Sequence, residues 1–309
     1  MNEALHLNLA GIPLTNPVIL LSGCVGFGEE LATLDGFDFA SIGALCLKGT
    51  TLEPRLGNPP PRLAETPCGL LNAIGLQNPG ARFVIDRILP RLAHLPTRLI
   101  ANIAGSTIDD YAAVARLFDD SPVDGIEINI SCPNVKEGGA AFGADPRTAA
   151  QVVAAVRQAT TKPIITKLSP NVTDIRPIAT AAIEAGTDAL SAINTLMGMA
   201  VDSTTRRPIL GNRQGGLSGP AIKPVALLKV WQLHQVAAPH GIPIIGQGGI
   251  ASTEDAIEFL VVGASAIGIG TALFRNPLLG GEIATGIALY LEKHQIAHVT
   301  ALTGTLNNA

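Results

Sequence analysis

Apolar residues gather along the chain in eight short runs, at 18–21, 44–47, 99–103, 125–129, 164–167, 189–193, 244–246 and 266–269. Each is too short for a helix and is followed by a stretch read as helical. Near-continuous apolar strands alternating with helices are the pattern of a parallel sheet covered on both faces. Eight such units predict a (β/α)8 (TIM) barrel, in which the sheet closes on itself. The helices carry start signals that support this reading. Ser106 stands three residues before Asp109 and predicts a capping box, Asp145 precedes Pro146 at a first helical position, and Ser252 precedes Asp255.

Other segments fall outside the repeat. The N-terminal "LHLNLAGIPLTNPV" predicts a hairpin that closes the barrel bottom. A polar, Pro-rich insertion at 50–80 follows the second strand, a Gly-rich stretch at 134–143 follows the fourth, and a third insertion at about 197–220 follows the sixth. Loops after the strands lie at the C-terminal face, where barrel enzymes build their sites, so these insertions are candidate covers for a ligand. Since α/β barrels commonly reach about 250 residues as one domain, the 309 residues are read as one domain spanning 1–309.

Composition narrows the function classes. The apolar share is 47% and the aromatic share 4%, which suits a large aliphatic core. Lys+Arg 21 against Asp+Glu 25 gives a net charge of −4, with no basic stripe to follow a phosphodiester backbone, so no nucleic acid is expected. The first residues show neither a basic n-region nor a long apolar one, and no apolar run approaches a membrane span, so a cytoplasmic protein is expected. The cysteines at 24, 46, 68 and 132 are widely spaced, with no C-x-x-C and no Cys/His pair at ligand spacing. Neither a metal site, an iron–sulfur cluster nor a disulfide framework is indicated.

Polar residues collect at the strand ends. Lys48-Gly49 follow the second strand, Asn102 lies in the third, Asn129 ends the fourth with Cys132 just beyond, Lys167 ends the fifth and Asn194-Thr195 follow the sixth. A strand-end lysine can snorkel to solvent, but two lysines together with asparagines point to a charged ligand. Gly-rich turns follow strands seven and eight, "IIGQGGIAS" and "IGIGTALF", where barrels often bind phosphate on backbone N–H groups. Glycine also serves tight turns; its position on these two strands favours the anion. No histidine falls at a strand end, so Cys132 is the candidate general base, against the alternative of an inert core thiol. Cys24, Cys46 and Cys68 have no comparable polar company in the sequence.

Taken together, "KGTTLEPRLGNPPPRLAETPCGLLNAIGLQNPG", "INISCPNVKEGGAAFGADP", "TKLSPNVTDI", "AINTLMGMAVD", "GGLSGPAIKPVAL" and "GGIAS" resemble the dihydroorotate dehydrogenases, and among them the class 1B catalytic subunits. The resemblance covers nearly the whole chain. It implies one FMN per chain, with its phosphate on Gly248, Gly249, Gly270 and Thr271 and further contacts from Ser22, Lys48, Gly49, Asn102, Asn129, Lys167, Ile193 and Gly219. It implies a pyrimidine held by Lys48, by Asn72, Ala73, Ile74, Gly75 and Leu76, and by Asn129, Asn194 and Thr195. Cys132 then takes the C5 proton of dihydroorotate as hydride leaves C6, and 134–143 forms a lid. The resemblance also implies a dimer of this chain within a heterotetramer. In it a partner subunit carrying FAD and a 2Fe–2S cluster passes electrons to NAD. Two relatives share the barrel, the fumarate-reducing class 1A enzyme and the dihydropyrimidine dehydrogenase core, and a non-catalytic flavoprotein scaffold is the alternative from another class. A base position held by Cys rather than Ser speaks against the membrane-bound, quinone-linked class. Gln247 stands where the family pattern suggests an apolar residue such as Met.

Overall fold

The computed structural model describes residues 2–131 and 142–307. The chain opens with β1 (Leu7–Leu9) and β2 (Ile12–Leu14), which pair antiparallel as the expected hairpin. β3 (Val18–Leu20), β4 (Ala44–Cys46), β5 (Leu63–Thr66), β6 (Gly69–Asn72), β7 (Arg98–Ile103) and β8 (Gly125–Asn129) follow. Next come β9 (Ile164–Lys167), β10 (Ala189–Ala192), β11 (Leu196–Gly198), β12 (Val201–Asp202), β13 (Arg207–Pro208), β14 (Gly215–Ser218), β15 (Ile244–Gln247) and β16 (Ala266–Ile269). Eight of these close a parallel barrel in the order β3-β4-β7-β8-β9-β10-β15-β16 and back to β3. The predicted strands are these eight, with ends moved by one residue at five of them. Where a predicted strand overruns, the ladder still continues: the N–H groups of Leu21, Leu47 and Ile193 donate to Ile269, Ile100 and Gln247 at 2.9, 2.9 and 2.8 Å.

Hydrophobic burial is arranged in two shells. Outward-facing strand residues such as Leu20, Leu45, Ile128 and Leu190 join the helices in one large core. Inward-facing Ile19, Ala44, Ile100, Ile165, Ala189, Ile245 and Ala266 fill the lower barrel together with Leu7, Leu9, Ile12 and Leu14 of the hairpin. Alternation along β1 and β2 supplies that face, so the hairpin plugs the barrel bottom as its sequence implied. Ile12 comes so close to β8 that a Cβ on Gly125 would lie 2.6 Å from its Cδ1.

The helices are α1 (Ala81–Phe83), α2 (Leu89–Leu92), α3 (Ile108–Asp119), α4 (Pro146–Ala159), α5 (Arg176–Glu184), α6 (Lys223–Ala237), α7 (Thr253–Val261) and α8 (Leu279–Lys293). α1 and α2 are joined by a wider turn at Val84–Ile88 and together form one outer rod. The helix expected after the first strand is absent: β3 and β4 are linked by short 3-10 turns at Leu31–Thr33 and Phe39–Ser41. Glycine explains this, since Gly26 and Gly28 hold φ of 56° and 88°, which no helix accommodates. Asp145 and Ser252 cap α4 and α7 as expected. The cap of α3 is Thr107 rather than Ser106. Thr107 Oγ1 accepts from Asp110 N–H at 3.1 Å, and the Asp110 carboxylate accepts from Thr107 N–H at 3.0 Å. Ser106 Oγ instead accepts from Arg55.

Two of the insertions combine in a way that no local pattern announced. β5 and β6 form a hairpin in the first insertion, β11 and β14 pair in the second, and β14 joins β6 to give a four-stranded antiparallel sheet, β11-β14-β6-β5. Ala64, Leu71, Ala73 and Leu210 make its own small core. The insertion after the fourth barrel strand lies mostly outside the described residues.

The corrected cap predicts that Thr107→Ala lowers unfolding free energy by about 1 kcal/mol in urea titrations. Ser106→Ala leaves the capping box intact and should cost less.

Candidate active site

The upper barrel ends and the four-stranded sheet enclose a cavity of about 430 Å³. Every described residue that the sequence put forward lines it. Ser22 follows β3, Lys48 and Gly49 follow β4, Asn102 and Asn129 lie on β7 and β8, and Lys167 ends β9. Ile193, Asn194 and Thr195 follow β10, Gly219 follows β14, Gly248 and Gly249 follow β15, and Gly270 and Thr271 follow β16. Asn72 at the end of β6, with Ala73, Ile74, Gly75 and Leu76 beyond it, comes in from the roof. Cys132 and the stretch 134–141 of the expected lid lie outside the described residues; Gly143 lines the cavity. No His, Asp or Glu is among the described lining residues.

Beneath the cavity lies a layer the sequence reading missed. Period-two alternation turns Cys46, Asn102, Glu127, Lys167, Ser191 and Gln247 inward, one layer above the apolar plug. Glu127 is 2% exposed and is the hub. Its Oε1 accepts from Ser191 Oγ at 2.7 Å, and its Oε2 accepts from Asn102 Nδ2 at 2.5 Å and from Cys46 Sγ at 3.4 Å. Lys167 Nζ lies 3.9 Å from Oε2, close enough for charge attraction but too far for a hydrogen bond. The available signal was the order of "GIEIN": Glu127 is two residues before Asn129 and therefore shares its inward face.

The thiols need correction on the same grounds. Cys46 has a carboxylate neighbour, and Cys24 lines the cavity beside both lysines. Burial dominates in each: it pushes Cys24 up to about 11 despite Lys167 and Lys48, and it holds Cys46 well above the ordinary thiol value, with Glu127 adding to the rise. Neither is a thiolate near neutral pH. Lys48 is pushed below the ordinary lysine value, first by burial and then by Lys167. Among the described residues no carboxylate forms an ion pair with it.

The glycine turns after β15 and β16 form an uncharged cradle. Gly249 holds φ of 86°, and a Cβ there would sit 2.9 Å from the Gly219 carbonyl oxygen and 3.0 Å from the Lys223 nitrogen. Only glycine fits. Among the described residues the N–H groups of Gly248, Gly249, Gly270 and Thr271 have no acceptor. The neighbouring cation, Lys223, is tied to Asp255 at 2.6 Å and Glu258 at 2.8 Å. Gln247 is 1% exposed; its Nε2 donates to the Ile193 carbonyl at 3.2 Å, and its Oε1, like Asn102 Oδ1, has no partner. Gln247 is thus a polar member of the inward layer where an apolar residue was the expectation.

A family model, dihydroorotate dehydrogenase, matches residues 4–291. The chain belongs to the dihydroorotate dehydrogenase family. It is 53% identical over 307 residues to a Pelobacter propionicus protein named dihydroorotate dehydrogenase B (NAD(+)), catalytic subunit, covering 99% of each chain. A Bacteroides thetaiotaomicron protein of the same name is 50% identical over 303 residues, covering 98% of each. The fold is shared with the dihydroorotate dehydrogenase of Eimeria tenella solved with ferulenol, at a TM-score of 0.81 and 22% identity over 98% of this chain and 89% of that one. Among the described residues no helix is long and apolar enough to cross a membrane.

A cation with a lowered pKa binds protons more weakly folded than unfolded. Charged Lys48 therefore works against the ligand-free fold, and that penalty fades as pH rises through the window from its lowered value to 10.5. Lys48→Met should melt higher than the parent at neutral pH, with the gap narrowing as pH rises through that window in thermal melts. The same variant should lose affinity for orotate.

Proposed function

We propose that the chain oxidises dihydroorotate to orotate as the catalytic subunit of an NAD-linked enzyme of pyrimidine biosynthesis. The observation that carries this reading is the cavity's charge pattern. Two lysines face a space whose described lining contains no acid, next to a neutral N–H cradle. That pattern accepts a carboxylate at Lys48, an electron-rich ring edge at Lys167 and a phosphate on the glycines.

The residues fit FMN. The cradle is kept open by glycines at which a Cβ would collide, and Asn102 presents a buried oxygen with no protein donor. Ser22, Gly49, Asn102, Asn129, Ile193 and Gly219 would line the ring, Gly248, Gly249, Gly270 and Thr271 would hold the phosphate, and Lys167 would stand by the ring edge that becomes anionic on reduction. Bound there, the cofactor supplies the hydride acceptor for C6 of the substrate.

The chain's own residues do the rest. Lys48 pairs with the substrate carboxylate, which restores the charge balance that burial denies it. Asn72, Asn129 and Asn194 each offer both a donor and an acceptor, matching the alternating edge of a pyrimidinedione, with Thr195 beside them. Ala73, Ile74, Gly75 and Leu76 cover the ring from the roof and exclude water. Cys132 takes the C5 proton as the general base. Electrons then pass to a partner subunit carrying FAD and a 2Fe–2S cluster and on to NAD, two copies of each subunit forming a heterotetramer in the cytoplasm. The names of the relatives, which combine NAD(+) with "catalytic subunit", support this electron path.

Purified chain should be yellow and bleach when dihydroorotate is added. Cys132→Ala should keep its flavin but bleach at least about 100-fold more slowly, as stopped-flow absorbance would show; an unchanged rate removes Cys132 from the role of base. Steady-state assays test the acceptor. NAD reduction should require a co-expressed iron–sulfur flavoprotein, while rapid fumarate reduction by the chain alone would overturn the NAD-linked reading.

A further inference from the structure

Glu127 is the one acid of the inward polar layer among the described residues, and it lies 3.9 Å from Lys167, one of the two lysines of the described cavity lining. Its carboxylate is held by donors from three other strands, Cys46 on β4, Asn102 on β7 and Ser191 on β10, and faces Lys167 on β9. Two consequences follow from this geometry. Because Asn102 Nδ2 is committed to Glu127, its Oδ1 is turned away, and it is this oxygen that has no protein partner. And because Lys167 has no other ion-pair partner among the described residues and stands too far from Glu127 for a hydrogen bond, its charge is compensated while its N–H donors stay available to the cavity.

We propose that Glu127 is a positioning residue that holds Asn102 and Lys167 toward the bound cofactor and supplies the counter-charge that limits how strongly this cavity favours the reduced flavin. The inference rests on the flavin reading above. With substrate present, the two described cations then face two anions: the substrate carboxylate against Lys48 and Glu127 against Lys167. Removing one negative charge beneath the ring leaves a surplus positive charge, and a surplus positive charge stabilises the form of the cofactor that carries more electrons.

The test is a spectroelectrochemical titration at neutral pH of the flavin bound to wild type, Glu127→Gln and Ser191→Ala. Glu127→Gln keeps the shape and hydrogen-bonding capacity but removes the charge. Its reduced flavin should gain about tenfold in relative affinity over the oxidised form, an upward shift of about 30 mV for a two-electron couple. Ser191→Ala removes a donor but keeps the charge, so its potential should stay at the wild-type value. An unmoved or lowered potential in Glu127→Gln, or an equal shift in Ser191→Ala, overturns the role of Glu127 while leaving the function intact. A wild-type chain that holds no flavin overturns the functional reading itself. If Glu127→Gln does not fold, the double variant Glu127→Gln/Lys167→Gln decides the matter by soluble yield and melting. Recovery of folding supports the charge pairing, and no recovery overturns it.

Discussion

Burying a carboxylate in the middle of a parallel barrel costs several kcal/mol unless donors replace the lost water, and Glu127 draws its partners from β4, β7, β9 and β10. Hydrogen bonds to a charged group contribute about 1.5–3 kcal/mol each. The short bonds from Asn102 and Ser191 therefore do most of the holding, and the longer contact to Lys167 adds charge balance. This layer also fixes what stands above it. Asn102 and Lys167 cannot rotate freely without disturbing the carboxylate, so the cavity floor is presented in one arrangement. Below it, the hairpin plug keeps the lower barrel dry, which strengthens every charge interaction one layer up.

The roof solves a different problem. A barrel mouth alone is an open bowl, and a reaction that moves a proton and a hydride in opposite directions needs water kept out. Here the cover is built from two distant insertions whose strands β6 and β14 pair directly, with Leu71 opposite Leu217 and Asn72 opposite Gly216. Asn72 Nδ2 also donates to the Gly216 carbonyl at 3.2 Å, so a residue of the cavity wall is itself part of the seam. The two insertions therefore form one element, and the cavity is shaped between it and the strand ends.

Much of this was legible in the chain. Parallel strands buried on both faces leave near-continuous apolar runs, so the eight barrel strands stood out, and the strand-end lysines and asparagines all reached one cavity. What was not legible depended on distant partners or on near-degenerate local signals. Glu127 is a single acid in a strand; only closure of the barrel brings Cys46, Asn102, Lys167 and Ser191 around it. The β6–β14 pairing joins two four-residue segments, each opening on glycine, that are too short to announce a partner. At α3, Ser106 and Thr107 each have an aspartate three residues on, and the backbone, with Thr107 extended at φ −127° and ψ 163°, chooses between them. After the first strand, glycines outweigh a helical spacing that apolar residues alone suggested.

The charges are also distributed by task. Among the described residues the cradle after β15 and β16 offers backbone N–H groups and no free cation, because Asp255 and Glu258 occupy Lys223. An anion held there would meet fixed backbone dipoles and not a side-chain charge. The two lysines of the described lining differ from each other: Lys48 has no carboxylate partner among the described residues, whereas Lys167 is balanced by Glu127 at 3.9 Å. A free lysine in the cradle would add a third cation to the described lining and, on the proposed flavin reading, would favour the reduced state further. An uncharged N–H cradle, one lysine without a carboxylate partner and one lysine balanced by Glu127 therefore belong to a single electrostatic arrangement, in which Glu127 is the only buried anion among the described residues.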